Sequence, residues 1–258
     1  MNKDTVRQVV NVLAVVAVIV VNGLANTLPL NGLTQSEISD RFDVFFVPAG
    51  YAFSIWGLIF LGLTAFAVYQ ALPAQRENLR LRRVGYLFAL SCVANITWLF
   101  LWHYEVFVLT LVAMLALLLL LIAIYLRLDI GRAQVSGVER WLVDVPFSVY
   151  LGWITVATIA NVTVVLDYLG WNGWGISPQA WTVIMLFAGL VIATAMSLTR
   201  GDVAYSLVLI WAYVGIAVKH QDTPVVAVTA GVTAALIGLM LVIGVLLKRG
   251  RGRALATA

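Results

Sequence analysis

Charged residues are scarce in this chain. They make up 11% of its 258 residues, whereas hydrophobic residues make up 62%. Soluble domains carry about 25% charged residues. Because a soluble core cannot hide this much apolar surface, the composition excludes a soluble protein and predicts an integral membrane protein. The sequence also lacks the alternation of apolar and polar residues that is typical of membrane barrels. The predicted fold class is therefore all-α, a polytopic bundle of membrane helices.

Cysteine and histidine are nearly absent, and catalytic motifs are missing. The single cysteine, Cys92, excludes an intrachain disulfide, and the spacing of His103 and His220 predicts no metal site. The chain has no Ser/His/Asp set, no phosphate-binding loop and no dinucleotide-binding glycine motif. We therefore expect no enzymatic activity, no metal and no resident cofactor. Since no basic stripe is interleaved with aromatic residues, we also expect no nucleic-acid partner.

The chain does contain long runs of apolar residues. They predict about eight transmembrane helices, at residues 6–29, 51–72, 85–103, 105–127, 141–166, 179–199, 202–219 and 224–247. Alternating these spans from a cytoplasmic N-terminus leaves only Arg41 and Lys219, of 16 Lys and Arg residues, on the outer side. This positive-inside pattern predicts two cytoplasmic termini and suits a prokaryotic cytoplasmic membrane.

Ionisable side chains are also rare inside the predicted spans. Asp144 is the main exception, and Arg140 lies four residues before it, so we expect these two to form an ion pair at the membrane interface. So few buried charges argue against a transporter coupled to protons or ions. A facilitative carrier of an apolar solute stays open as an alternative.

Uncharged aromatic and amide residues mark the fifth span and recur in the first three. In the fifth span, Tyr150, Trp153, Ala157 and Asn161 fall on one helical face. The full set of candidate ligand-binding residues is Asn26, Phe53, Trp56, Phe60, Asn95, Trp98, Tyr150, Trp153, Ala157 and Asn161. One interpretation is that the amides join helices and the tryptophans pack between them. The other is an apolar pocket for a large, flat ligand, closed by the outer loop 31–50 as a lid.

Three motifs carry a family resemblance. They read Pro48-Ala-Gly-Tyr-Ala-Phe-Ser-Ile-Trp56 at the second span, Asn95-Ile-Thr-Trp98 in the third, and Trp153-Ile-Thr-Val-Ala-Thr-Ile-Ala-Asn161 in the fifth. In this order, over residues 6–167, they resemble the translocator protein family, also called tryptophan-rich sensory proteins or TspO/MBR. The chain departs from the family where a Pro-Pro pair is replaced by Pro48-Ala49, and in having three further spans.

The resemblance implies a five-helix ligand-binding unit at residues 1–167, which leaves a three-helix membrane unit at 179–248 and a basic cytoplasmic tail at 249–258. It implies a sensory or binding protein whose ligand is a hydrophobic small molecule such as a tetrapyrrole (protoporphyrin is a family ligand). A sterol is less favoured, because the basic residue of the family's sterol segment is missing here. A homodimer in the lipid bilayer, an enzyme acting on bound porphyrin, and a scaffold for another membrane protein stay open.

Overall fold

The computed structural model describes residues 2–28 and 30–256, without the side chains of Asn26 and of residues 249–256. The predictions for the Asn26 side chain and for the basic tail therefore lie outside the described part of the chain. Numbered in chain order, the helices are α1 (Lys3–Thr27), α2 (Gln35–Ser39), α3 (Ile55–Ala71), α4 (Leu79–Val84), α5 (Leu87–His103), α6 (Phe107–Arg127), α7 (Gly137–Glu139), α8 (Val145–Tyr168), α9 (Pro178–Arg200), α10 (Val203–Lys219) and α11 (Pro224–Ala256).

The predicted all-α membrane bundle is confirmed. The described residues contain no strand, and an apolar helix occupies each of the eight predicted stretches. Six of these helices are long and apolar enough to cross a membrane. The other two, α5 and α10, have 17 residues each. At 1.5 Å per residue such a helix spans about 26 Å, slightly less than the roughly 30 Å of bilayer hydrocarbon.

The helices pack in two groups that meet along α8. In the first group α1, α3, α5, α6 and α8 pack against one another, and in the second α9, α10 and α11 do so. The two groups meet where α10 packs along α8. Gly152 allows this close approach, because a Cβ there would lie 3.1 Å from the carbonyl oxygen of Tyr205. The assignment of the groups to separate functional units stays a prediction.

Asp144 forms its ion pair with Arg80, whereas the sequence predicted a pair with Arg140. Arg80 of α4 lies 2.6 Å from Asp144 and 3.0 Å from Glu139. The reason is local: residues Arg140–Asp144 form a π-helical turn, in which the Val145 amide bonds to the carbonyl of Arg140. Because a π-helix has more residues per turn than an α-helix, positions four apart no longer face each other.

Candidate ligand-binding cavity

A small cavity of about 60 Å³ lies beneath the lid, among α3, α5, α6 and α8. We call this end of the bundle the lid end. Five aromatic residues line the cavity: Phe53, Trp56, Trp98, Trp102 and Trp153. The remaining wall comes from Met114, Val156, Ala157, Ala160, Asn161 and Val164 of α6 and α8, and from Gln35, Ser39, Val47 and Pro48 of the lid. The surface is therefore mainly aromatic and aliphatic.

The structure brings together most of the residues that the sequence analysis selected. Those that line the cavity are Phe53, Trp56, Trp98, Trp153, Ala157 and Asn161. The three selected residues that lie elsewhere are Phe60, Asn95 and Tyr150. Asn95 and Tyr150 are buried beside the cavity, whereas Phe60 lines the groove between α1 and α3. The helical period did not show which part of each face borders the cavity.

The cavity tryptophans are held in fixed pairs. Trp98 and Trp102, one turn apart on α5, stack with ring centroids 5.5 Å apart and planes tilted by 22°. Trp153 meets Trp56 and Phe53 edge to face, at centroid distances of 6.5 and 5.9 Å. Both arrangements are favourable for aromatic quadrupoles. The wall is therefore pre-organised.

Asn161 has its partners inside the protein. Its side-chain oxygen accepts a hydrogen bond from the indole N–H of Trp98 at 3.2 Å, and its amide donates to the Thr110 hydroxyl at 2.8 Å. Since Asn161 is buried, these bonds offset the cost of placing an amide among apolar groups. They join α5, α6 and α8 and fix the orientation of Trp98.

Asn95 and Tyr150 belong to a second network beside the cavity. The Asn22 amide donates to the side-chain oxygen of Asn95 at 2.9 Å, and the Asn95 amide donates to the Tyr150 hydroxyl at 3.2 Å. All three side chains are buried. The network ties α1, α5 and α8 together, which is the helix-joining role that the sequence analysis considered for the amides.

Three polar groups on the cavity wall have no partner in the described part of the chain. They are the indole N–H of Trp153, the side-chain amide of Gln35 and the hydroxyl of Ser39. All three residues are buried. Their polar atoms are not among the described buried atoms that lack a hydrogen-bond partner, so they keep surface that water or a ligand can reach.

A groove between α1 and α3 shares a wall with the cavity. Phe53 and Trp56 line both spaces, and Phe60, stacked on Trp56 with centroids 5.4 Å apart, lines only the groove. Trp56 is half-buried. Phe53 and Trp56 thus separate the cavity from a surface that faces the predicted lipid region.

The lid is folded and fastened to α5. Thr34 and Glu37 form the capping box that their spacing predicts, and it starts α2. The exposed Glu37 carboxylate has its pKa lowered by the backbone and side-chain hydrogen bonds that Thr34 donates. The Trp102 indole N–H then donates to the carbonyl of Gln35 at 3.3 Å, and the Asn31 amide donates to the carbonyl of His103 at 3.0 Å.

Helix α10 holds the other end of the lid. The Ala49 amide donates to the carbonyl of Gly215 at 3.0 Å, and the Trp211 indole N–H donates to the carbonyl of Ala52 at 3.0 Å. The sequence analysis missed this role of the C-terminal helices, and it missed the cavity residues of the lid. No periodic pattern carries that information, because the path of a loop is not repetitive.

One comparison with known proteins gives a match. A family model described as "TSPO-like protein" matches residues 8–243. The match extends beyond the motif-bearing residues 6–167 and includes α9, α10 and most of α11. No curated protein and no solved structure matches the chain.

Proposed function

Because the chain belongs to the TSPO-like protein family and is an integral membrane protein, we propose that it is a tryptophan-rich ligand-binding protein of the TspO type. Its ligand is a flat, largely apolar molecule with a polar edge, a tetrapyrrole being the first candidate, and the protein binds it without turnover. The observation that carries this proposal is the aromatic cavity with three unpaired polar groups, from Trp153, Gln35 and Ser39.

The lining of the cavity supports a flat aromatic ligand. The small side chains of Ala157 and Ala160 line the cavity together with the tryptophans, so an aromatic ligand can lie against tryptophan faces. A carboxylate or carbonyl on its edge would accept from the Trp153 N–H and the Gln35 amide. These contacts give orientation, while the rings give most of the apolar burial.

Ligand entry requires the lid to move. A cavity of about 60 Å³ is smaller than the roughly 300–1,000 Å³ of typical ligand sites. Apart from its contacts with α5 and α10, the lid is fastened by the ion pairs Arg41–Glu105 and Lys219–Asp40, and three of these four side chains are more than a third exposed. Exposed pairs contribute only about 0–1 kcal/mol each. These two pairs therefore add little to the free energy of opening, which comes mainly from the hydrogen bonds to α5 and α10 and from the buried lid side chains Phe46 and Val47. Ligand binding must offset that free energy and proceeds with lid displacement.

A facilitative carrier of an apolar solute is the second candidate. The α1–α3 groove supports it, because Phe53 and Trp56 line both that groove and the cavity. Solute flux into proteoliposomes, compared with equilibrium binding, distinguishes a carrier from a sensor. The cytoplasmic position of both termini, the prokaryotic membrane and the homodimer stay predictions.

The test is a titration of the purified protein in detergent with protoporphyrin IX, followed by tryptophan quenching and by the porphyrin absorbance band. We expect saturable binding that is lost in Trp98→Leu/Trp153→Leu. Trp141→Leu is the matched control, because Trp141 is exposed and does not line the cavity. Absence of saturable binding to the folded wild-type protein would overturn the tetrapyrrole proposal.

A further inference from the structure

A second cavity, of about 260 Å³, lies where the lid, the end of α8 and the start of α9 meet. Among its lining residues are Phe45, Phe46, Trp171 and Trp181. It shares no lining residue with the cavity beneath the lid. It is formed in part by the loop 169–177, which joins α8 to α9.

The tryptophans here form one cluster. Trp171, Trp174 and Trp181 contact one another with centroid distances of 5.2, 5.3 and 5.9 Å. The Trp181 N–H donates to the carbonyl of Gly173 at 2.9 Å, which anchors the loop to α9. Gly173 has φ +64°, a conformation that favours glycine. Trp171 and Trp181 of this cluster line the cavity, whereas Trp174 is exposed and packs against them from outside it.

Two carboxylates give this cavity a charge of one sign. Asp43 from the lid and Asp167 from the end of α8 both line it, and no Lys or Arg does. Within the described part of the chain, neither carboxylate has an ion-pair partner within 4 Å. The other described acids at the lid end include Asp40 and Glu105, and both of those are paired.

We propose that this second cavity binds an amphipathic organic cation, such as a quaternary ammonium or protonated amine with an aromatic body. Tryptophan faces attract a cation through the ring quadrupole, and the two carboxylates supply opposite charge. Phe45, Phe46 and the aliphatic residues around them receive the apolar part. This site is independent of the proposed tetrapyrrole site, so either one can fail without the other.

The test uses benzyltrimethylammonium and its uncharged carbon isostere, neopentylbenzene, with purified full-length protein in a maltoside detergent. Isothermal calorimetry is expected to show saturable binding of the cation and none of the isostere. Asp43→Asn/Asp167→Asn and Trp171→Leu should each weaken cation binding roughly tenfold or more. Asp222→Asn should bind as the wild type does, because Asp222 is exposed at the lid end but does not line the cavity.

Three results overturn the proposal. Equal binding of cation and isostere means that charge plays no part. If Asp222→Asn weakens cation binding as much as the double variant Asp43→Asn/Asp167→Asn does, the cation is attracted by the negative charge of the surface in general and not by this cavity. Loss of cation binding in Trp153→Leu, with Trp171→Leu unaffected, places the cation in the cavity beneath the lid instead.

Discussion

Gly215 of α10 and Pro48 of the lid are in such close contact that no larger residue fits at position 215. A Cβ on Gly215 would lie 2.8 Å from the Cβ of Pro48. Because Pro48 lines the ligand cavity, this contact joins the C-terminal helices to the cavity wall. We expect Gly215→Ala to displace the lid, to lower stability by about 1–3 kcal/mol through overpacking, and to change porphyrin affinity. Thermal unfolding and porphyrin titration in detergent measure both effects.

Gly231→Ala is the matched control for this substitution. Gly231 lies in α11, and a Cβ there would meet nothing within 4 Å. Alanine should therefore be neutral or stabilise the helix by up to about 1 kcal/mol. If Gly215→Ala changes stability and porphyrin affinity as little as Gly231→Ala does, the contact between Gly215 and Pro48 does not hold the lid in place.

Asn161 provides the test that separates a helix-joining role from a ligand-binding role. Asn161→Leu leaves the Trp98 N–H without its acceptor and removes the bond that the Thr110 hydroxyl accepts, although that hydroxyl still donates to the carbonyl of Phe107. The loss should cost about 1–3 kcal/mol of stability. We expect the variant to show a lower melting temperature, and the folded fraction to keep most of its porphyrin affinity. Ligand contact by Asn161 is supported instead if affinity falls with the melting temperature unchanged.

Thr158→Val controls for the loss of a buried polar group on the same helix. The Thr158 hydroxyl bonds only to the carbonyl of Ile154, one turn earlier in α8. Removing a bond within one helix breaks no contact between helices, and the carbonyl keeps its backbone partner. The loss of stability should therefore be well below that of Asn161→Leu.

The sequence predicted the helical architecture because apolar runs and end signals are local. Thr34 and Glu37 have the spacing of a capping box, which starts α2, and α9 begins at Pro178, one residue before the predicted start of its span. The π-helical turn before α8 was not predictable in this way. One turn of π-helix changes no residue type, so the change of partner for Asp144 from Arg140 to Arg80 appears only in the structure.

The candidate site was predictable on the helices and not on the lid. Trp98 and Asn161 were selected from helical faces, and they do meet. Asn95 was selected on the same grounds, yet it bonds with Asn22 and Tyr150 beside the cavity. One face of a helix is long enough to contribute some residues to the cavity and others to the hydrogen-bond network beside it. A periodic pattern in the sequence predicts which face is buried, but it does not predict which part of that face a neighbouring helix or loop covers.

Trp56 should control access from the α1–α3 groove. Trp56→Ala removes part of the wall between groove and cavity, so association of porphyrin should become faster. Equilibrium affinity should fall roughly two- to tenfold, because one aromatic contact of about 0.5–1.5 kcal/mol is lost. Stopped-flow quenching measures the rate. Phe60→Ala removes the ring that stacks on Trp56 but does not itself line the cavity, so the affinity should fall less than in Trp56→Ala. An equal fall in both variants contradicts the idea of a gate.

His220 should make the attachment of the lid to α10 sensitive to pH. Burial, and then the neighbouring charge of Lys219, lower the pKa of His220 below its ordinary value, while the backbone of Val47 and Phe45 and then the Asp43 carboxylate act in the opposite sense. The His220 ring lies 5.3 Å from that of Phe45 in the lid. The folded protein therefore favours neutral His220. Its contribution to stability is complete above about pH 6.5 and is lost as the pH falls through the lowered pKa.

We therefore expect amide hydrogen exchange at residues 44–49 to speed up between pH 7 and pH 5, after correction for the intrinsic pH dependence of exchange. His220→Gln keeps a polar side chain that does not titrate in this range, so its lid amides should show little further change. If wild type and His220→Gln share the same corrected pH profile, the sensitivity comes from other groups. In that case the contact between His220 and Phe45 serves packing alone.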